Sequence, residues 1–159
     1  MKKLFILAFT LCGFAITTNA QEISENAIGL RLGDSNGLGA EISYQRALGN
    51  ANRLEVDLGW RNGDNYNAFQ LTGLYQWVWN LDGNFNWYAG AGGGLASYDG
   101  KNESNGVNET TIFVAGDIGI EYNFDIPLLL SLDFRPTIGF GDFTDDVDFD
   151  IALGIRYQF

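Results

Sequence analysis

The sequence predicts an all-β protein: a transmembrane antiparallel up-and-down β-barrel of eight strands. Three observations predict it. From about residue 25 onward, apolar side chains recur at every second position, the spacing that places them on one face of a strand. Charge falls on the other face of the same segments. The connections alternate between tight turns and longer polar stretches, as expected when turns occupy one rim of a barrel and loops the other. No amphipathic helical pattern competes with this reading.

The chain opens with Lys2 and Lys3, an apolar run from Leu4 to Ile16, and the small or polar residues Thr17, Thr18, Asn19 and Ala20. This is the layout of a secretory signal peptide, and the run is too short for a spanning helix. Cleavage is expected after Ala20, giving a leader over 1–20 and one barrel domain over 21–159, a length suited to a single domain. Cys12, the only cysteine, leaves with the leader, so the mature chain forms no disulfide and no thiolate metal site. There is no histidine, which removes the commonest general base and the commonest transition-metal ligand. Nine Lys plus Arg, Lys2 and Lys3 among them, face twenty Asp plus Glu, a balance that repels phosphate backbones and argues against a nucleic-acid partner.

Each strand follows from its pattern. The first shows Ile28, Leu30 and Leu32 on one face. The second sets Leu38, Ala40, Ile42 and Tyr44 against Glu41, Ser43 and Gln45. The third sets Leu54, Val56, Leu58 and Trp60 against Glu55, Asp57, Gly59 and Arg61. A fourth, from about Ala68 to Val78, alternates Phe69, Leu71, Tyr75 and Trp77 with Gln70, Thr72, Leu74 and Gln76. The fifth, from about Phe85 to Tyr98, is glycine-rich and alternates more weakly. The sixth places Ile112, Val114, Ile118, Ile120, Tyr122 and Phe124 opposite Ala115, Asp117, Gly119, Glu121 and Asn123. The seventh sets Leu128, Leu130, Leu132 and Phe134 against Ser131, Asp133 and Arg135, and the last closes with Phe149, Ile151, Leu153, Ile155, Tyr157 and Phe159. Tight turns rich in Gly, Asn, Asp and Pro are expected near Gly49 to Asn52, Asn80 to Asn84 and Asp125 to Pro127. Long connections are expected at Asp99 to Glu109 and Ile138 to Asp148, with a shorter loop at Asn62 to Asn67. The connection from Asp34 to Gly37 is short for the loop side.

Alternation alone fits a soluble barrel with an apolar interior as well as a membrane barrel with a polar one. Two features favour the membrane. One face collects Arg31, Glu41, Glu55, Asp57, Asp117, Glu121, Asp133, Arg135, Asp150 and Arg156, while the opposite face carries essentially no charge. Aromatic residues also cluster at strand ends: Trp77, Trp79, Trp87, Tyr122 and Phe124 toward the turn rim with Tyr44, Phe85, Tyr157 and Phe159, and Trp60 toward the loop rim with Phe69, Phe134 and Phe149. Such rings are the girdles of a membrane barrel at headgroup level.

With its leader, its eight alternating segments and its ending, the chain resembles the small OmpA/OmpX-type eight-stranded outer-membrane barrels, in particular the barrel proteins of the Bacteroidetes. In that family a final strand with alternating apolar residues and a terminal aromatic is the signal read by the barrel assembly machinery. Ile151, Leu153, Ile155, Tyr157 and Phe159 match it. The resemblance implies the outer membrane of a Gram-negative bacterium, periplasmic termini, and contact with outer-membrane lipid and lipopolysaccharide.

Candidate chemistry lies first in the inward charges. Seven carboxylates and three arginines share a narrow lumen, with Arg31 expected to pair with Glu41, and Arg135 with Asp133 or Asp150. They form either a cation-preferring path or a plugged polar core. The run Thr144, Asp145, Asp146, Val147, Asp148, Phe149, Asp150 offers oxygen ligands for calcium but lacks the glycine and terminal glutamate of an EF-hand loop, so a solvated acidic loop is expected. Gly90, Gly92, Gly93 and Gly94 have neither the lysine nor the helix of a nucleotide loop and suit sheet bending. Enzymes of similar barrels employ a histidine, absent here. No catalytic residue, cofactor or metal site is expected. The reading is a non-enzymatic barrel with a structural or surface-interaction role through its loops. A narrow cation-preferring channel and a soluble periplasmic barrel binding an apolar ligand are the alternatives.

Overall fold

A computed structural model describes residues 23–34, 38–62, 66–100, 108–140 and 147–159. Within them run eight strands: β1 (Asn26–Asp34), β2 (Leu38–Ala47), β3 (Asn52–Asn62), β4 (Tyr66–Asp82), β5 (Phe85–Gly100), β6 (Asn108–Asn123), β7 (Leu128–Phe140) and β8 (Val147–Gln158). Each pairs antiparallel with its neighbour in sequence, and β8 returns to β1 through registers such as Leu30 to Ile155, closing the barrel without a free edge. Closure satisfies every strand edge within the wall, which an open sheet cannot do in lipid. At the seam the last residue is latched in place: the Asn26 amide donates to the Phe159 carbonyl at 3.0 Å, and the Phe159 amide to the Asn26 carbonyl at 2.9 Å.

Alternation in the sequence becomes an inverted polarity in space. Ile28, Leu30, Leu32, Ile118, Ile120, Leu132, Ile151 and Leu153 stand exposed on the outer wall. Arg31, Glu55, Asp57, Asp133 and Arg156 are buried within. A soluble barrel holding an apolar ligand needs the opposite arrangement. Arg46 departs from the expected charge-free outer face. It lies exposed at the turn end of β2, paired with Glu25 at 2.9 Å and donating to the Asn26 side chain at 2.8 Å.

The turn rim is tight. Leu48 donates to the Asn52 carbonyl at 2.8 Å across the β2–β3 turn, and Leu128 closes the β6–β7 turn on the Ile126 carbonyl at 2.6 Å. The β4–β5 turn is shorter than expected, because β4 runs on to Asp82 through a register shift beyond Asn80. Gly83 then turns the chain at φ 52, a conformation that side chains resist, and the Asn80 side chain donates to its carbonyl at 2.8 Å.

On the loop rim the strands are longer than the sequence pattern indicated. The expected connection Ile138 to Asp148 is partly strand, with Ile138 opposite Val147 and Phe140 opposite Ile112. Asp99 pairs with Asn108 and Tyr66 with Gly100, so on β4, β5 and β6 the ladders continue where apolar alternation fades. Backbone pairing needs no apolar face, and hairpins can climb past the belt as polar ribbons. Residues 144–146 of the acidic run expected as a solvated loop, and most of the short connection after β1, lie outside the described residues.

Candidate functional site: the charged lumen

Among the described residues, four arginines rooted on different strands are buried in the lumen. Arg31 of β1 reaches Glu41 of β2 at 3.1 Å and Asp150 of β8 at 2.6 Å, and its Nε donates to Asp133 of β7 at 3.0 Å. Arg135 of β7 spans the barrel to β3, meeting Asp57 at 2.6 Å and Glu55 at 3.0 Å, with Glu41 of β2 at 3.4 Å. Arg156 of β8 donates to Ser43 at 2.9 Å and Ser131 at 2.8 Å, and pairs with Glu55 at 3.2 Å. Arg53 of β3 pairs with Glu121 of β6 at 2.8 Å and donates to the Gln76 amide oxygen at 2.6 Å. Its guanidinium also lies 4.8 Å from the centre of the Tyr88 ring, a cation–π contact.

Two expectations change here. Arg31 pairs with Glu41 as anticipated, but Arg135 takes neither Asp133 nor Asp150. Both belong to Arg31. Asp133 lies two residues from Arg135 on the same strand and Asp150 sits opposite it in register. The long arginine stem nevertheless carries its head away from the wall, to carboxylates on the far side. Arg53 is the second change: it belongs to the lattice and was absent from the candidate residues. The signal was present, since Arg53 shares parity with Glu55 and Asp57, but the strand was taken to begin one residue later, at Leu54.

Glycines on the inner wall make room for this packing. A Cβ on Gly119 would lie 2.5 Å from the Tyr88 ring, which therefore rests directly on the bare backbone of β6. A Cβ on Gly154 would lie 2.2 Å from the Ser131 hydroxyl and 2.4 Å from the Arg156 guanidinium. Sequence indicated glycine at these positions, but not which neighbour uses the space.

Burying charge is costly, and an ion lattice repays that cost only where its polar atoms find partners. Here the four guanidiniums are at most 4% exposed and each is tied to at least two groups from other strands. A recess near the turn rim, lined by Ala27, Gln45, Arg53, Glu121, Leu129 and Gln158 among others, has a volume of about 10 Å³. That is about one water. Among the described residues no three acidic side chains converge as metal ligands.

Outside, the aromatic residues sit where the strands end. Near the turn rim Tyr75 meets Trp77 edge-on at 4.9 Å, Trp79 stacks on Trp87 at 4.3 Å, and Tyr122 packs between Phe85 at 4.6 Å and Phe124 at 4.7 Å. Tyr157 and Phe159 stack at 6.2 Å beside the seam. Trp60 faces outward near the loop end of β3 in register with Phe69, and Phe134 stacks on Phe149 at 5.6 Å. The final row Ile151, Leu153, Ile155, Tyr157 and Phe159 is exposed along its whole length.

No protein-family model matches the chain, and no curated protein matches it. Solved structures do. The N-terminal β-barrel domain of Pseudomonas aeruginosa OprF superimposes with a TM-score of 0.75 at 13% identity, over 87% of this chain and 100% of that one. The fold is that of the outer-membrane β-barrels. Neisserial surface protein A (NspA) matches with a TM-score of 0.63 at 15% identity, over 84% of this chain and 94% of its own. The attachment invasion locus protein Ail of Yersinia pestis matches with 0.62 at 15% identity, over 86% and 97%. At such identities the likeness concerns the fold, the eight-stranded OmpA/OmpX type.

Proposed function

We propose that this protein is a non-enzymatic barrel of a Gram-negative outer membrane, made with a leader over 1–20 that is removed, and working through the connections on its loop rim rather than through its lumen. The observation that carries this reading is the set of four arginine crossbars. Arg53, Arg135 and Arg156 reach strands three or four places away around the barrel, and Arg31 ties β1 to β2, β7 and β8, all through buried ion pairs, so a solute would have to break the lattice to pass. The exposed apolar wall between aromatic clusters supports a place in lipid, with the aromatic rings at the two interfaces. The outward row from Ile151 to Phe159 supports handling by the barrel assembly machinery. Termini on the turn rim then lie in the periplasm, and the longer connections face lipopolysaccharide and the outside.

Ail has been seen in complex with the heparin analogue sucrose octasulfate, so a barrel of this fold can bind a ligand. For this chain the acidic balance favours neutral or basic partners over sulfated ones. The test is conductance in a planar bilayer, with folding verified by a heat-dependent gel shift. Silence is expected. Reproducible cation-selective steps that shrink in Asp133→Asn would make the lumen a channel and overturn the proposal.

A further inference from the structure

Among the described side chains, Arg46 is the one cation that stands outside the lumen. It ends the outward row of Ile42 and Tyr44 on β2, at a position where the alternation calls for another apolar residue. Its level on the wall follows from the ladders. Arg46 lies opposite Asn26 of β1 and Leu54 of β3, and Leu54 lies opposite Tyr75 of β4. Asn26 in turn exchanges two backbone hydrogen bonds with Phe159. One row therefore runs Phe159, Asn26, Arg46, Leu54, Tyr75, and it sets the guanidinium among the aromatic residues of the turn rim, at the height of lipid headgroups.

The neighbours hold this charge in place. The Asn26 side-chain oxygen accepts from Arg46 Nη1 and from the Tyr44 hydroxyl, both at 2.8 Å, while Arg46 Nη2 meets Glu25 at 2.9 Å. Glu25 is fixed through its backbone, whose carbonyl accepts from the Ala47 amide at 2.9 Å. The pair is nevertheless open to the outside, its side chains 46% and 69% exposed. Such a pair contributes little to folding. Among the described residues these contacts engage two of the five N–H donors that a guanidinium carries.

One cation and one anion thus stand side by side at headgroup level. A phospholipid whose headgroup ends in a primary ammonium carries the complementary pair: a phosphate, which a guanidinium binds through parallel hydrogen bonds, and an ammonium, which donates to a carboxylate. A choline headgroup has no N–H to give Glu25, and a glycerol headgroup brings no positive charge. We infer that Arg46 and Glu25 bind the headgroup of one phosphatidylethanolamine, phosphate on Arg46 and ammonium on Glu25, with its chains along the exposed Ile28, Ile42 and Leu54. Four charges of alternating sign then close a ring. The inference rests on the proposed place of the wall in lipid.

Native mass spectrometry of the complete folded chain in detergent tests it, with phosphatidylethanolamine, phosphatidylcholine and phosphatidylglycerol of identical chains offered at equal concentration. One phosphatidylethanolamine is expected to be retained several-fold more than either other lipid. Arg46→Gln should remove most of that retention, and Glu25→Gln should abolish the preference, letting phosphatidylglycerol bind at least as well. Both residues are exposed at the rim, and a heat-dependent gel shift verifies that each variant folds. Equal retention of the three lipids, a preference that persists in either variant, or retention of soluble glycerophosphoethanolamine as strong as that of the lipid would overturn the site. A chain that stays folded and dispersed in water without detergent would instead remove the place in lipid, so the two readings fail on different observations.

Discussion

Arg135 and Asp57 lie 2.6 Å apart although their strands, β7 and β3, stand half the circumference of the barrel from each other. The same guanidinium nitrogen also meets Glu55 at 3.0 Å, so one side chain braces two carboxylates of the opposite wall. Removing it strands Asp57 and leaves Glu55 to Arg156 alone, in a medium where charge is poorly solvated. Arg135→Ala is expected to lower stability by about 3–5 kcal/mol, read as a shift of the urea midpoint in vesicles. Arg135→Lys should recover only part of this, because an ammonium lacks the fork that spans two acceptors. An unchanged midpoint in Arg135→Ala would show that the brace contributes nothing.

Tyr88 and Gly119 form a second joint. Gly119→Ala places a methyl group where the ring now sits, and the cost is expected at about 1–3 kcal/mol with loss of the near-ultraviolet tyrosine signal. Adding Tyr88→Leu should relieve much of that cost, so the double variant is less destabilised than the two single effects predict. Strict additivity would mean that the ring and the glycine do not share this space.

Depth in the bilayer can be read from arginine substitutions on the outer wall. Leu153→Arg, midway along the final row, should cost about 2–4 kcal/mol, whereas Leu48→Arg, exposed at the β2–β3 turn, should cost about 0–1 kcal/mol. Equal penalties would contradict a wall immersed in lipid.

Deletion of Phe159 removes both a ring stacked on Tyr157 and the backbone latch to Asn26. In cells the variant should accumulate unassembled, measured as loss of the heat-resistant folded band in outer-membrane fractions. The purified variant should still refold in detergent. Normal assembly in cells would remove Phe159 from any assembly signal.

Strand parity was fully legible, because burial on only one face writes itself into every second residue. Arg31, Glu55 and Asp117 could be placed in the lumen from their neighbours alone. Their partners could not. Parity fixes the direction in which a side chain leaves the wall, but the meeting of Arg135 with Asp57 depends on strand stagger and on the reach of a long flexible stem. The ends of β5 and β6 were underestimated because polar residues there stop alternating while the backbone goes on pairing, whereas at the ends of β7 and β8 the outward row Ile138, Phe140 and Val147 continues and was read as loop.

The arginine lattice also links distant parts of the chain in time. Arg31 finds its carboxylates 102 and 119 residues later, Arg156 closes on Glu55 and Ser43 made far earlier, and Arg135 reaches back 78 residues to Asp57. A nascent barrel without its last two strands holds Arg31, Glu55 and Asp57 stripped of most of their counter-charges. Such a fragment pays the full penalty of placing charge near hydrocarbon, and only the finished chain escapes it. The lattice is therefore complete only when the first and last strands of the chain are both in place.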